Sequence, residues 1–423
     1  MDTGHIKPLA LPTLRLSQPG FEFRTTSATT MAVLARLIAS GEASNKAELA
    51  AVTGLSRTTV TAAVERLLRA GILRREGAVA RAGRGRPADC LGIAPGAGTV
   101  LIFDCGAQSS RLAIANLGQQ ILAERTVDLA VAIGPGASLD ALRTHMEELI
   151  AESGVEITRA CTVIGLPARL DYVNGTPVRP AIMPGWDGFR VIEPLQAAFG
   201  FPVIVENDVN LRALGESRAL APDQSPLVAV KVGTGIGAGL VTGDGAIHRG
   251  SGGASGEMGH ITLRSAPDTH CVCGSVGCLE AVASVPALLR LYAGASEEGV
   301  EPPHTADEFA QLVRDADPLA AALVRDSAVY LGEAIADIVH VFNPARVVIS
   351  GPTTSASDDL LARVRSIIYE HARPLATRNL QVAFSTLGER AGIAGALVLG
   401  IEHLLSPDAL ADAFYYRDQA RRT

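Results

Sequence analysis

The sequence predicts an α/β protein in three parts: a small basic helical module with a two-stranded wing, a two-lobed α/β body, and a metal-binding knuckle set into that body. Three observations carry this. Residues 25–95 hold ten basic and five acidic side chains, a surplus of +5 in a chain whose net charge is −7, which leaves −12 for the remainder. From residue 100 onward, short β-rich runs alternate with helical stretches, the pattern of a layered α/β domain. Cys271, Cys273 and Cys278 fall within eight residues, with His260 one short loop upstream. At 423 residues the chain exceeds a single core. The expected parts are an N-terminal arm (1–24), the winged module (25–94), a small α/β lobe (95–215, with 392–410 packing back), a large α/β lobe with the knuckle (216–391) and a C-terminal tail (411–423).

The basic module reads element by element. Met31, Leu34, Ala35, Leu37 and Ile38 recur at helical spacing before a break at Ser40-Gly41. Asn45-Lys46-Ala47-Glu48 is a capping box for a second short helix through Ala51. Thr53-Gly54-Leu55 is a tight turn, and Ser56 caps a third helix that runs to Ala70 and stops at Gly71. Val60, Val64, Leu67 and Leu68 line one face of that helix, and Ser56, Arg57, Thr58, Thr59 and Thr61 crowd its N-terminal end. A tight turn between two helices, with a donor-rich start to the second, is a helix-turn-helix whose first residues face the major groove. Arg57 has the planar fork that matches guanine or phosphate. Ile72 to Arg75 and Leu91 to Ile93 form the wing, tipped by Arg84 and Arg86, which suit a narrow minor groove. The competing reading is a helical hairpin followed by a solvated basic linker. The order of helix, helix, helix and basic wing favours DNA.

The body opens with the buried-strand run Val100–Asp104. Arg111–Asn116 follows, then a hairpin turn at Asn116–Gln119 and a further strand from Ile121 to Val127. Asp140–Ile150 is a helix, and Cys161–Gly165 and Pro202–Val205 are strands. The cycle restarts at Leu227–Val232, turns in the glycine-rich Gly233–Gly237 and returns through Ala238–Val241, so two related lobes are expected. Composition is globular, with 48% hydrophobic and 19% charged residues. No run of about eighteen apolar residues exists to span a membrane, and residues 1–23 lack the basic start and apolar core of a secretory signal. A cytoplasmic location without a membrane partner is expected. Cys90, Cys105 and Cys161 are dispersed, as suits a reducing compartment.

Three thiolates and an imidazole complete a closed tetrahedral zinc shell with no position left for water, so the zinc would be structural. A disulfide is the alternative, poorly served by a C-x-C pair and by cytosolic conditions. His270 competes with His260 as fourth ligand, but it abuts Cys271 and has less freedom to fold back. Asn207-Asp208, at the end of a strand, can grip neighbouring hydroxyls; the alternative is an Asx turn or cap for the helix through Leu211–Ala219. Glu257 and His260 share one face if their segment is helical. His260 can give one ring nitrogen to zinc and offer the other to a ligand hydroxyl. Glu280 directly follows the knuckle. Carboxylates, an amide and an imidazole without a basic cluster suit a neutral polyol better than an anion.

Gly256-Glu257-Met258-Gly259-His260 followed by Cys-x-Cys-Gly-x-x-Gly-Cys-Leu-Glu resembles the signature of the ROK family (repressors, open reading frames, kinases). Asp104-Cys105-Gly106, Gly165-Leu166-Pro167, Val205-Glu206-Asn207-Asp208 and Gly233–Gly239 fit it in order and separation over about residues 95–405. The resemblance implies the two-lobed actin-like ATPase (ribonuclease H-like) fold of sugar kinases, with a cleft between lobes. It implies Asn207, Asp208, Glu257, His260 and Glu280 as the sugar-binding set, with Asp208 catalytic if kinase activity is retained. On the nucleotide side, Asp104, Gly106, Gly233, Thr234 and Gly235 correspond to the two phosphate loops. Kinases similar to this chain carry Asp-x-Gly-Gly-Thr in the first, where Ala107 adds a Cβ and Gln108 replaces a short hydroxyl. The second loop is intact. Pro352 stands where the family tends to have glycine. ATP with Mg2+ is expected only in the kinase alternative.

The resulting expectation is a sugar-responsive transcriptional regulator. It would bind operator DNA through the winged helix and a sugar or sugar derivative in a kinase-derived cleft, and it would act as a homodimer or homotetramer. Closure of that cleft would alter the spacing of paired DNA-binding modules. An active ATP-dependent sugar kinase with an attached DNA-binding domain is the alternative, and a constitutive DNA-binding protein with a vestigial cleft is the third.

Overall fold

The computed structural model describes residues 10–18, 27–78, 89–297, 299 and 301–420. They divide into two compact units: Met1–Leu166 with Phe189–Glu206 and Ala396–Thr423, and Pro167–Gly188 with Asn207–Gly395. The first unit begins with α1 (Ser27–Ala39), α2 (Lys46–Thr53), α3 (Arg57–Arg69), β1 (Leu73–Ala78) and β2 (Asp89–Ile93), then β3 (Thr99–Cys105), β4 (Ser110–Asn116), β5 (Ile121–Val127), α4 (Pro135–Ser153) and β6 (Ala160–Leu166). A short ribbon of β7 (Leu170–Asp171) and β8 (Thr176–Pro177) belongs to the second unit, after which α5 (Ile192–Phe199) and β9 (Val203–Asn207) complete the first sheet. The second unit continues with α6 (Asp208–Ala219), β10 (Leu227–Val232), β11 (Ile236–Val241), α7 (Leu279–Ala283), α8 (Val285–Ala295), α9 (Ala306–Arg314), α10 (Pro318–Phe342), β12 (Arg346–Ser350), α11 (Asp358–His371), α12 (Pro374–Thr377) and β13 (Gln381–Phe384). Helix α13 (Ala391–Leu404) begins in the second unit and ends in the first, where α14 (Pro407–Ala420) follows.

The division falls differently from the sequence boundaries. Residues 167–188 and 207–215 group with the second unit, and the winged module shares one unit with the first α/β sheet. The module itself forms as its caps dictate. The Asn45 side chain accepts the N–H groups of Ala47 and Glu48, while Glu48 reaches back to the Ser44 N–H at 2.8 Å, one residue ahead of the expected box partner. Gly54 ends α2 at φ 69°, a conformation only glycine adopts freely. Ser56 caps α3 through the Thr59 N–H at 3.1 Å. β1 and β2 pair antiparallel as the wing. Arg84 and Arg86 lie outside the described residues.

Helix α1 departs from an amphipathic pattern: every residue from Thr30 to Ala39 is buried. It packs against α3, β2 and α14, and Ser17 of the arm meets it through Arg36. Leu14 and Leu16 of the arm are buried. Arg36, 7% exposed, donates to the Ser17 carbonyl at 2.7 Å and to the Glu402 carbonyl. Arg66 donates to Ser27 Oγ at 2.6 Å and stacks over the Phe414 ring. Two of the ten cations in the basic surplus are therefore committed to the fold. Gln119, at the β4–β5 turn, completes the seam: its amide bonds the Leu14 N–H and carbonyl and the Ala39 carbonyl at 2.6–3.0 Å.

The two main sheets repeat one plan. In the first, of order β5-β4-β3-β6-β9, β3 is antiparallel to β4 and parallel to β6. In the second, of order β11-β10-β12-β13, β10 is antiparallel to β11 and parallel to β12. β10 alternates: Val228, Val230 and Val232 face the larger core, while Leu227 and Ala229 pack with Ala213 of α6.

Candidate metal centre and ligand site

The site grows from the close approach of a glycine-rich segment to β11. Gly256 has φ 90°, and a Cβ there would lie 1.8 Å from the Ala238 carbonyl oxygen; one at Gly259 would lie 2.3 Å from that of Ile236. The Ala238 N–H donates to the Gly256 carbonyl at 2.9 Å. Only bare backbone fits at these points, so Glu257 and His260 are set against the start of β11. Their segment is a 3-10 turn, Met258–His260, preceded by Glu257. Residues three apart eclipse in such a turn, and His260 Nε2 stands 3.9 Å from Glu257 Oε2.

The other ring nitrogen, Nδ1, lies 3.7 Å from Cys271 Sγ. Cys273 Sγ and Cys278 Sγ are also 3.7 Å apart, and the four donor atoms all fall within 4.8 Å of one another. Tetrahedral zinc with Zn–S bonds of about 2.3 Å sets sulfurs about 3.8 Å apart, so the residues fit that ion. His270 is not in the cluster; its backbone bridges Val276. Backbone hydrogen bonding at Ser275 draws the Cys273 thiol down to about 6, while burial pushes Cys278 up to about 12 and raises Cys271. Cysteines bind zinc as thiolates, so a divalent ion would complete this set by displacing their protons. Cys161, by contrast, is a core thiol pushed up to about 12 by burial.

Glu280 stands on the first turn of α7, directly after Cys278 and Leu279. Its Oε2 accepts the Ile236 N–H at 2.9 Å, and a Cβ on Gly235 would come within 2.7 Å of that oxygen. The Gly233 N–H donates to the Gly235 carbonyl at 2.9 Å. This glycine loop thus closes on itself and on a carboxylate. Of the other loop, Asp104 is buried and the Gly106 N–H closes on the Ser109 carbonyl at 2.9 Å, where a Cβ would come within 2.8 Å. Asp104 and Gly106 lie in the first unit, and Gly233, Thr234 and Gly235 lie in the second.

Asn207 and Asp208 join the strand β9 to the helix α6. The Asn207 side-chain oxygen accepts the N–H groups of Val209 and Asn210, and its amide donates to the Ala168 carbonyl at 3.0 Å. Asn207 is thus the helix cap that sequence left open. Asp208, 3% exposed, occupies the first turn of α6, where the helix dipole favours an anion. Lys231 Nζ meets its Oδ2 at 2.6 Å. Arg169 Nε stands 3.4 Å from Glu257 Oε2. Asn210 donates to the Tyr172 hydroxyl, and Arg249 stacks over that ring. Sequence reasoning did not single out Lys231 and Arg169, which each meet one of these carboxylates rather than forming a basic cluster. In the winged module, Ser56, Arg57, Thr58, Thr59 and Thr61 are all exposed at the start of α3.

Residues 100–403 match the ROK family, and residues 27–74 match a winged helix-turn-helix DNA-binding domain. The chain belongs to the ROK family. Its winged module places it among the members that join a ROK body to a DNA-binding domain. It is 30% identical over 376 residues to a putative xylose repressor of Caldicellulosiruptor sp. (strain Rt8B.4), covering 86% of this chain and 93% of that protein. A glucokinase of Halalkalibacterium halodurans is 32% identical over 243 residues, but that match spans only 55% of this chain and 73% of the enzyme. Among solved structures, a ROK family transcriptional regulator described as a homologue of the Escherichia coli MLC protein matches with a TM-score of 0.75 at 26% identity, covering 92% of this chain and 98% of that one. The ROK body is thus shared with kinases, while the match to the regulators extends over most of both chains.

Proposed function

We propose that this chain is a sugar-responsive transcriptional regulator whose winged helix binds operator DNA and whose second unit binds a sugar or sugar derivative. One observation carries the reading. A single chain presents an exposed, donor-rich recognition-helix start (Ser56 to Thr61) and also holds Asp208, Glu257, His260 and Glu280 around the start of β11, beside a cluster of one histidine and three cysteines. Zinc at that cluster would be structural. It would fix the His260 ring through Nδ1 and leave Nε2 for a ligand hydroxyl, with the Glu257 carboxylate 3.9 Å away as second partner. In this reading Asn207 acts chiefly by capping α6 and so aiming Asp208.

The route from ligand to DNA runs through α13. In the second unit it packs closely on α6: a Cβ on Gly395 would lie 1.8 Å from the Leu211 carbonyl oxygen. In the first, Glu402 accepts the Ser17 N–H at 2.6 Å, and its carbonyl takes Arg36 of α1. Sugar binding at the α6 N-terminus would bias the pose of α1 and shift the population competent for operator DNA. A cytoplasmic homodimer or homotetramer suits paired half-sites. The kinase reading finds less support, because Lys231 already occupies Asp208 and Glu280 already takes an N–H of the glycine loop. Transfer of labelled phosphate from ATP to a sugar panel tests it. The regulator reading is tested by binding of an in-vitro-selected DNA site with and without sugars; no sugar effect on any selected site would reject it.

A further inference from the structure

Strand β10 carries a residue whose role the proposed sugar site does not yet include. Leu227 and Ala229 turn toward α6 and pack with Ala213. Period-two alternation puts Lys231 on that same face, two residues further along. There it meets Asp208 Oδ2 at 2.6 Å. The two partners differ in access: the Asp208 side chain is 4% exposed and that of Lys231 24%. An ammonium carries three donors, and the contact with Asp208 uses one.

Sugar hydroxyls each donate and accept. The carboxylates of Asp208, Glu257 and Glu280 can only accept when ionised, and the oxygen of Asn207 already caps α6. Of that set only the His260 Nε2–H, with Nδ1 toward the cysteines, is left to donate, one donor against three carboxylates. Lys231 and Arg169 supply further donors, each against one carboxylate. Counting Arg249 over the Tyr172 ring, three carboxylates stand against three cations, which leaves no positive charge in excess for a phosphate or an acid group. We propose that Lys231 contacts the ligand directly, as the donor half of a Lys231–Asp208 pair that grips neighbouring hydroxyls, and that the ligand is an uncharged sugar. This rests on the sugar-binding reading of the same site.

The test uses the full chain with its zinc and isothermal titration calorimetry against D-glucose, D-xylose and N-acetyl-D-glucosamine, with glucose 6-phosphate and glucuronate as charged probes. Wild type is expected to bind an uncharged sugar and to prefer it over its charged counterparts. Lys231→Met removes the donors and is expected to weaken that sugar about ten- to hundred-fold, the range of one charged hydrogen bond. Lys231→Arg should recover part of the loss. Lys231→Met leaves Asp208 buried without this partner, so a variant that melts early or loses zinc is replaced by Lys231→Gln. The decisive readout is then a set of monodeoxy analogues of the best-bound sugar. One analogue should lose about tenfold against wild type and lose nothing further against Lys231→Gln, a coupling that a merely structural lysine would not produce. Unchanged affinity in the variants, no coupled analogue, or a wild type that prefers the phosphorylated or acidic sugar overturns the proposal while leaving the sugar-binding reading intact. A wild type that binds none of the probes overturns both.

Discussion

Gly256→Ala should separate ligand sensing from DNA binding. The glycine sits at φ 90°, and its added Cβ would lie 1.8 Å from the Ala238 carbonyl oxygen, where real contacts do not fall below 3.0 Å. The segment must therefore part from β11 by at least 1.2 Å, the difference of those two distances. That strains the hydrogen bond from the Ala238 N–H to the Gly256 carbonyl. The left-handed backbone adds about 1–2 kcal/mol for any residue with a Cβ. Glu257 and His260 ride on the displaced turn, and a misplacement of about 1 Å typically costs about a hundredfold in a preorganised site. Calorimetric sugar affinity should therefore fall about a hundredfold. Operator affinity without sugar should hold, because the winged module folds in the other unit. Gly252→Ala is the control: its φ is ordinary and a Cβ there meets nothing within 4 Å. Sugar affinity of Gly256→Ala within about threefold of wild type would refute the claim that this approach aims the two side chains.

Other outcomes follow from the same geometry. Elemental analysis should find one zinc per chain, lost in Cys273→Ser; native protein without zinc would reject the centre. Arg57→Ala should weaken operator binding, and if its contact is to phosphate the log–log salt slope should fall by about one unit; unchanged binding would remove Arg57 from the interface. Arg36→Met should lower the melting temperature and weaken the effect of sugar on DNA more than sugar binding itself, measured by calorimetry and anisotropy on the same sample. His403 is held below its usual 6.5, first by burial and then by Arg159. The unfolded chain gains a proton below about 6.5 that the folded chain resists, so stability should fall with pH there, and His403→Gln should flatten part of that fall in melts from about pH 8 to about pH 5.

Local signals made much of this legible from sequence. Caps at Asn45 and Ser56 and the stop at Gly71 set the helix-turn-helix within a residue or two, because they act on their own backbone. The strand–turn–strand repeat surfaced as two sheets of one plan, since buried runs such as Val100–Asp104 have few alternatives. The cysteines and His260 converge because ligand chemistry at short spacing leaves little freedom. Long-range geometry decided what escaped. Lys231 is one residue of a strand run in the sequence; only the packing of its face of β10 against α6 brings it to Asp208. Arg169 and Tyr172 sit in a connecting stretch with no periodicity to mark them. Arg36 counts toward the basic surplus and Leu14 toward the arm in sequence; in the fold both are buried, Arg36 between the Ser17 and Glu402 carbonyls. Glu257 and His260, three apart, share one face if their segment is helical, and the 3-10 turn there holds them together.

The most direct test is fluorescence anisotropy of a selected operator DNA with zinc-loaded protein across a sugar titration, run in parallel on wild type and Asp208→Asn. The substitution keeps the shape of a residue that lies 2.6 Å from Lys231 but removes its charge and one acceptor. A charged hydrogen bond contributes about 1.5–3 kcal/mol, so the midpoint of the sugar response should move by about tenfold or more while zinc content and sugar-free operator affinity stay as in wild type. Identical sugar responses in the two proteins, or no response in either, would contradict the account.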